Sequence, residues 1–465
     1  MIFSSPEFIL FFVFVLLGLT ALRNHHTGRK TLLLIASYYF YAYWDWRFLS
    51  LIWLSTLVDF FVGKKIASTS KQQHRTRWLW LSLAVNLGLL GYFKYYNFFI
   101  DSFKPMIESI GLHSSSLDII LPVGISFYTF QTLSYTLDIY RGKIKQHDNL
   151  LDFALFVGFF PQLVAGPIVR ASDFLPQLKS YKALTKENFY CGFQLFTYGL
   201  FKKVFIADRL AMFSDNVFIH AGAYDSITTW LAALAYTMQI YFDFSGYSDM
   251  AIGIARILGY DLGENFNFPY LARSPREFWK RWHISLSSWV RDYLYIPLGG
   301  SWKSPLRTYA NLLLSMILCG LWHGAAWTFV AWGAMHGLAL AKNRLWMHHG
   351  PQVDSRYIQL AGWIFTMLFV IIGWVLFRSD GFGTAQLMLR QMFIPEAGIS
   401  WINPFVLFIL LGTLAVHLLE SKGLWRRWIY PQKRQWYSPT LLFTLLWVSA
   451  MFFPDGYKPF IYFQF

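Results

Sequence analysis

Two histidines, His323 and His336, stand in LWHGAAWTFVAWGAMHG, within a run from Thr308 to Ala341 that contains no Asp, Glu, Lys or Arg. An imidazole in so apolar a setting suits proton transfer near neutral pH, or transient carriage of an acyl group. It equally suits a structural hydrogen bond between packed helices. His323 is the better chemical candidate, because Gly324 beside it leaves room for a substrate and Trp322 precedes it. His336 lies nearer the charged Lys342 and reads mainly as structural. On one continuous helix His336 would follow ~20 Å along the axis and ~220° around it, so the two rings should not act on one atom. One straight helix over Leu312–Ala341 would run ~45 Å, beyond the ~30 Å hydrocarbon core. A tilted or broken helix fits better, with Gly320 and Gly324 where a break is tolerated.

A second imidazole, His283, stands in FWKRWHISLSSW. Lys280 and Arg281 beside it can meet phosphate, and Ser285, Ser287 and Ser288 are nearby hydrogen-bond donors. The same string also reads as a basic interfacial helix anchored by Trp279, Trp282 and Trp289. Asp243 and Asp249, in YFDFSGYSDMAIG, are carboxylates in an apolar stretch that can relay protons, orient an imidazole, or make paired structural hydrogen bonds. Cys319 and His323 are four residues apart, on one helical face, as a thiolate–imidazole pair would be, but no third orienting group stands nearby. Cys191 and Cys319 are the only cysteines, both in apolar runs, and indicate neither a disulfide framework nor a metal site.

The elements that position these residues belong to a membrane. Of 465 residues, 55% are hydrophobic and only 14% charged, and the mean hydropathy is +0.38; a soluble enzyme is excluded. Apolar runs recur at Phe8–Leu22, Thr31–Trp44, Phe48–Val62, Trp78–Phe93, Ile119–Leu137, Phe153–Val169, Asn188–Phe201, Ser226–Phe242, Tyr357–Phe377, Trp401–Leu419 and Thr440–Phe453. Several fall short of the ~20 residues of a straight span, so polar flanks must extend them, or they tilt or re-enter. The N-terminal run lacks a basic leader and a small-residue cleavage pattern and reads as a retained first span.

Net charge is +15, yet the basic residues lie in short clusters between apolar runs, which fits positive-inside retention and anionic lipid headgroups, not nucleic acid. Arg23, Arg29 and Lys30 follow the first run, and Lys64, Lys65, Lys71, Arg75 and Arg77 follow the third. These clusters put the N-terminus outside and both basic loops in the cytoplasm. Asp261–Arg307 is too rich in Arg, Trp and Tyr for a lipid-facing span and suits a re-entrant or interfacial element packed into the protein. With no long linker or repeat, residues 1–465 read as one integral membrane domain.

Taken together, PVGISFYTFQTLSY, FFPQLVAGPIVR, YFDFSGYSDMAIGIARILG, NFNFPYLARSPREFWKRWHISLSSWVRDYLYIPLGG, LWHGAAWTFVAWGAMHG, GWVLFR and the closing FIYFQF resemble the membrane-bound O-acyltransferase (MBOAT) family, specifically its bacterial alginate O-acetylation branch. The resemblance implies an all-α polytopic fold wrapped around a buried tunnel. It makes the histidine of WHG, His323, essential for acyl transfer and His283 the second marked polar position. Trp322, Arg281, Lys280, Asp243 and Ser285 are the candidate substrate-binding residues. The resemblance further implies acetyl-CoA as a cytoplasmic donor, with no permanently bound cofactor and no metal. The acetyl group would cross the inner membrane to periplasmic polysaccharide acetyltransferase partners and end on an exopolysaccharide, alginate first and cellulose second. His323 would act as base or as acetyl carrier, with His283 or a neighbouring donor stabilising developing charge. Rival expectations are a family relative moving D-alanine or another acyl group, and a transporter without covalent chemistry.

Overall fold

Most of the apolar runs fall on helices, several of them extended by polar flanks. In the computed structural model, residues 1–465 are described apart from 112, 114, 165, 351–354, 426–436, 454–459 and 461–465. FIYFQF therefore lies outside the described residues beyond Phe460. The chain is all-α, with no strand among the described residues and one isolated bridge, Tyr224 to Ile399. The helices are α1 (Pro6–Ala21), α2 (His26–Asp45), α3 (Leu49–Ser68), α4 (Gln72–Leu90), α5 (Tyr96–Ser109), α6 (Ile125–Tyr140), α7 (Leu150–Gly158), α8 (Phe160–Leu163), α9 (Ala171–Lys179) and α10 (Lys186–Phe201). There follow α11 (Asp208–Ile219), α12 (Ser226–Ile257), α13 (Pro275–Arg281), α14 (Ile284–Val290), α15 (Pro305–His323), α16 (Trp327–His349), α17 (Arg356–Arg378), α18 (Phe382–Phe393), α19 (Pro404–Ser421) and α20 (Ser438–Met451). Three helical stretches among the described residues are long and apolar enough to cross a membrane: His26–Ser68, which holds α2 and α3, then α17 and α19. α1 and α20 are shorter apolar helices. The backbone clusters into two units, one of Met1–Phe193 with Ala251–Gly263, the other of Gln194–Met250 with Glu264–Phe465.

In the first unit, α1 shows how a span is built. Ser5 caps it, accepting from the Phe8 amide at 3.2 Å, and Pro6 occupies the first turn, where its missing N–H costs nothing. Phe8, Phe11, Val15 and Leu19 are buried, while Ile9, Leu10, Val13, Phe14 and Leu17 are exposed. Such a helix is apolar all round, with one stripe for protein and one for lipid. Where α3, α4 and α6 meet, the Asp59 carboxylate accepts from Ser82 Oγ at 2.5 Å and Asn86 Nδ2 at 2.8 Å, and Ser55 donates to Asn86 Oδ1 at 2.6 Å.

Two expectations change in this unit. Arg29 and Lys30, read as headgroup contacts, are buried: Arg29 donates to the Leu19 and Lys182 carbonyls at 2.6 and 2.8 Å, and Lys30 pairs with Asp152 at 2.6 Å. Of that cluster Arg23 remains exposed. The run Phe153–Val169 does not form one helix, because α7 stops at Gly158 and the single turn α8 carries Pro161 at its start.

The second unit depends on glycines that let helices touch. A Cβ on Gly246 of α12 would fall 2.7 Å from the Gly199 carbonyl of α10, so the two backbones cross in contact. The π-helical turn Lys202–Ala207 follows directly, and its lysines meet the α12 carboxylates, Lys202 with Asp249 at 2.6 Å and Lys203 with Asp243 at 2.9 Å, while Lys203 also pairs with Asp208 of α11 at 2.8 Å. The charge-free run breaks as its glycines allow. α15 ends at His323, Gly324 is extended (φ −160°, ψ 152°), and α16 starts at Trp327 and returns along α15. Gly320 packs on the Phe329 carbonyl and Gly333 on the Met316 carbonyl, and a Cβ on Gly337 would lie 2.8 Å from Leu313 Cα. The break lets Trp332 stand against both His323, at 5.2 Å, and His336, at 4.6 Å.

Candidate active site

The polar stretch before α15 reaches the site through tight local geometry. Ser274 caps α13, accepting from the Glu277 amide at 3.2 Å, and Pro275 sits in the first turn. The helix lasts two turns, Trp282 turns extended, and His283 adopts a left-handed conformation (φ 42°, ψ 56°) before α14 begins. For a residue with a Cβ this backbone costs ~1–2 kcal/mol, and the neighbouring chain holds it. Asn265 is the clamp: its carbonyl accepts from the Ile284 amide at 2.9 Å, and its Oδ1 from Ser285 Oγ at 2.9 Å. Asn265 Nδ2 donates to Ser248 Oγ at 3.2 Å, tying the turn to α12. The Asn267 amide donates to the Arg281 carbonyl at 2.9 Å, making a second rung.

That turn and the end of α15 bring the imidazoles together. The His283 and His323 ring centroids lie 6.4 Å apart, and Trp322 is in contact with both, 5.9 Å from His283 and 5.1 Å from His323. Phe244 closes on His283 at 4.6 Å, while Trp332 and Phe377 stand edge-on to His323 at 5.2 and 5.4 Å. His283 and His323 are both buried. His336 enters from α16 against the same Trp332, at 4.6 Å, and its Nδ1 accepts from Trp279 Nε1 at 3.2 Å. Two water-excluded imidazoles in a ring-walled site can move a proton and stabilise charge while shielding a thioester from hydrolysis.

The other candidate residues lie elsewhere in the unit. Arg281 pairs with Glu277 at 2.8 Å and donates to the Asn267 carbonyl at 3.1 Å. Lys280 is exposed. Asp243 is engaged with Lys203 and Asp249 with Lys202, and Ser285 is held by Asn265. Cys319 is buried one turn before His323. Trp279, Trp282 and Trp289 are all buried, so this stretch packs into protein. The sequence reading passed over Asn265 and the walls Phe244, Trp332 and Phe377. The aromatic density of the motif strings was their only signal, and it names no partner.

A family model described as MBOAT, membrane-bound O-acyltransferase family, matches residues 38–378. The chain is 47% identical over 398 residues to "Probable alginate O-acetylase AlgI" of Pseudomonas aeruginosa, covering 84% of this chain and 75% of that protein. It is 39% identical over 422 residues to "Peptidoglycan O-acetyltransferase" of Helicobacter pylori, covering 84% and 80%. It is 28% identical over 306 residues to "Teichoic acid D-alanyltransferase" of Bacillus subtilis, covering 61% and 75%. The transporter expectation is thereby set aside, and the chain belongs to the membrane-bound O-acyltransferase family as a multi-pass membrane O-acyltransferase.

Proposed function

We propose that the protein is an inner-membrane O-acetyltransferase with its N-terminus in the periplasm, which takes acetyl from cytoplasmic acetyl-CoA and passes it across the membrane for exopolysaccharide O-acetylation. The observation that carries this reading is the approach of His283 to His323 around Trp322, at 6.4 Å between ring centroids. Neutral His323 serves as the base that takes the proton of an acceptor hydroxyl, and His283 faces the charge that develops. Trp322 walls the acyl group. Alginate is the favoured final acceptor, supported by the 47% identity to the Pseudomonas aeruginosa relative, and cellulose is second. Periplasmic polysaccharide acetyltransferase proteins complete the delivery.

A second acceptor, peptidoglycan, is favoured by one observation: the Helicobacter pylori relative matches as large a share of this chain, 84%. The deciding experiment supplies purified protein in lipid nanodiscs with radiolabelled acetyl-CoA or an acetylated carrier protein. Candidate periplasmic partners are added, with alginate, cellulose or peptidoglycan fragments as acceptors. Label passing from acetyl-CoA to alginate supports the proposal. Label from the carrier protein alone, or only onto peptidoglycan, overturns the donor or the acceptor.

A further inference from the structure

The first unit holds a helix that the chemistry above does not use and that the protein leaves uncovered: none of the 14 residues of α5 is buried. Its side chains are sorted by face. At about 3.6 residues per turn, Phe99, Phe103 and Met106 fall within a ~60° arc, while Asn97, Asp101, Lys104 and Glu108 fall within a ~60° arc directly opposite. Ile110, which ends the helix, extends the apolar row. The polar face is already occupied. Asn97 Oδ1 accepts from the Leu117 amide at 2.9 Å, Asn97 Nδ2 donates to the Leu117 carbonyl at 2.8 Å, and Ser116 Oγ donates to Asp101 at 2.8 Å, so the chain after α5 returns across this side. The apolar row points the other way: Phe99 and Phe103 are 46% exposed, Met106 62% and Ile110 67%. Phe99 and Phe103 stack at 6.4 Å with their planes 12° apart, which makes the row one continuous ridge. An exposed apolar surface of this kind marks contact with another apolar phase.

Length, shape and surroundings select lipid over a partner helix. With 14 residues the helix falls short of the about three to four heptads that a coiled-coil seam needs, and Pro105 inside it removes a backbone N–H and bends the axis. At ~21 Å it is also too short to cross the ~30 Å hydrocarbon core. α4 runs into it through the π-helical turn Gly91–Tyr95, exposing Trp80, Leu87 and Tyr92 on the way, so the ridge continues an apolar outer surface. A π-turn is a place where a helix can change direction. We infer that α5 lies along the membrane surface, with its Phe99, Phe103, Met106 and Ile110 ridge sunk into the upper acyl chains and its polar face toward headgroups and water. The attachment is apolar. Against one cation, Lys104, the helix carries two carboxylates, Asp101 and Glu108, so anionic headgroups add nothing to it. This inference does not depend on the acetyl-transfer reading.

Both native cysteines, Cys191 and Cys319, are buried, so a bimane label goes to a thiol placed on α5. The full-length protein is labelled at Phe103→Cys or Met106→Cys on the ridge, and at Lys104→Cys or Glu108→Cys on the opposite face, in phosphatidylcholine nanodiscs. Ridge labels should lose emission to phosphatidylcholine brominated along the upper acyl chain, and lose less to lipid brominated near the chain ends. Labels at positions 104 and 108 should instead be quenched by aqueous iodide. Replacing part of the phosphatidylcholine by phosphatidylglycerol should leave ridge quenching unchanged. Ridge labels that iodide reaches and brominated lipid does not overturn the inference. So do ridge labels shielded from both, as a docked protein or a second copy of the chain would shield them, and so does equal quenching of both faces by the deep bromines. Each ridge position reads the outcome by itself, so one variant that fails to fold leaves the test intact.

Discussion

The Asp59 cluster of the first unit and the imidazole cluster of the second both bury ionisable side chains among helices, and they surround them differently. Around Asp59, short side chains from α3, α4 and α6 answer one another: Ser82 and Asn86 donate to the carboxylate, Ser55 to Asn86, and Ser82 meets Thr136 at 3.1 Å. Around His283 and His323 stand rings, Phe244, Trp322, Trp332 and Phe377. A closed polar network locks helices together and leaves nothing to offer a substrate. Rings wall the two imidazoles and keep water from them.

Each contrast can be broken by substitution. His283→Ala should lower acetyl transfer about 100- to 1000-fold while the protein still folds, and steady-state rates with a melting curve test both halves. Lys203→Met leaves Asp208 and Asp243 buried without their shared lysine, at a cost of about 3–5 kcal/mol in stability. Its turnover per folded molecule should match wild type, as thermal inactivation of nanodisc samples can show. Ser82→Ala should cost about 1–3 kcal/mol by removing a donor from the buried carboxylate, again with turnover per folded molecule intact. A large loss of turnover there would give the Asp59 cluster a part in catalysis and erase the contrast. Ser285→Ala is the mildest, about 1 kcal/mol from its bond to Asn265. Because that bond steadies the His283 turn, it should lower kcat about tenfold and leave KM alone.

Much of this was legible in the residues. The charge-free run pointed to a membrane protein with His323 as a candidate, and Gly320 and Gly324 marked where it breaks. The string FWKRWHISLSSW pointed to His283. What the sequence could not carry was direction. No periodicity announces that His283 turns left-handed, because the clamp that holds it is Asn265, on another segment. Nor does spacing show that α16 returns along α15, bringing Trp332 to His323; backbone contact at Gly320, Gly333 and Gly337 decides that. Arg29 and Lys30 look like headgroup residues until Lys182 and Asp152, far along the chain, supply their partners.

The most direct test of the account is release of free CoA from acetyl-CoA by nanodisc-embedded protein supplied with its acceptor, comparing wild type with His323→Ala at matched melting temperature. With His323 as the base, the rate should fall by about 10²–10⁴-fold while acetyl-CoA binding persists. Equal rates in the two proteins would contradict the account at its centre.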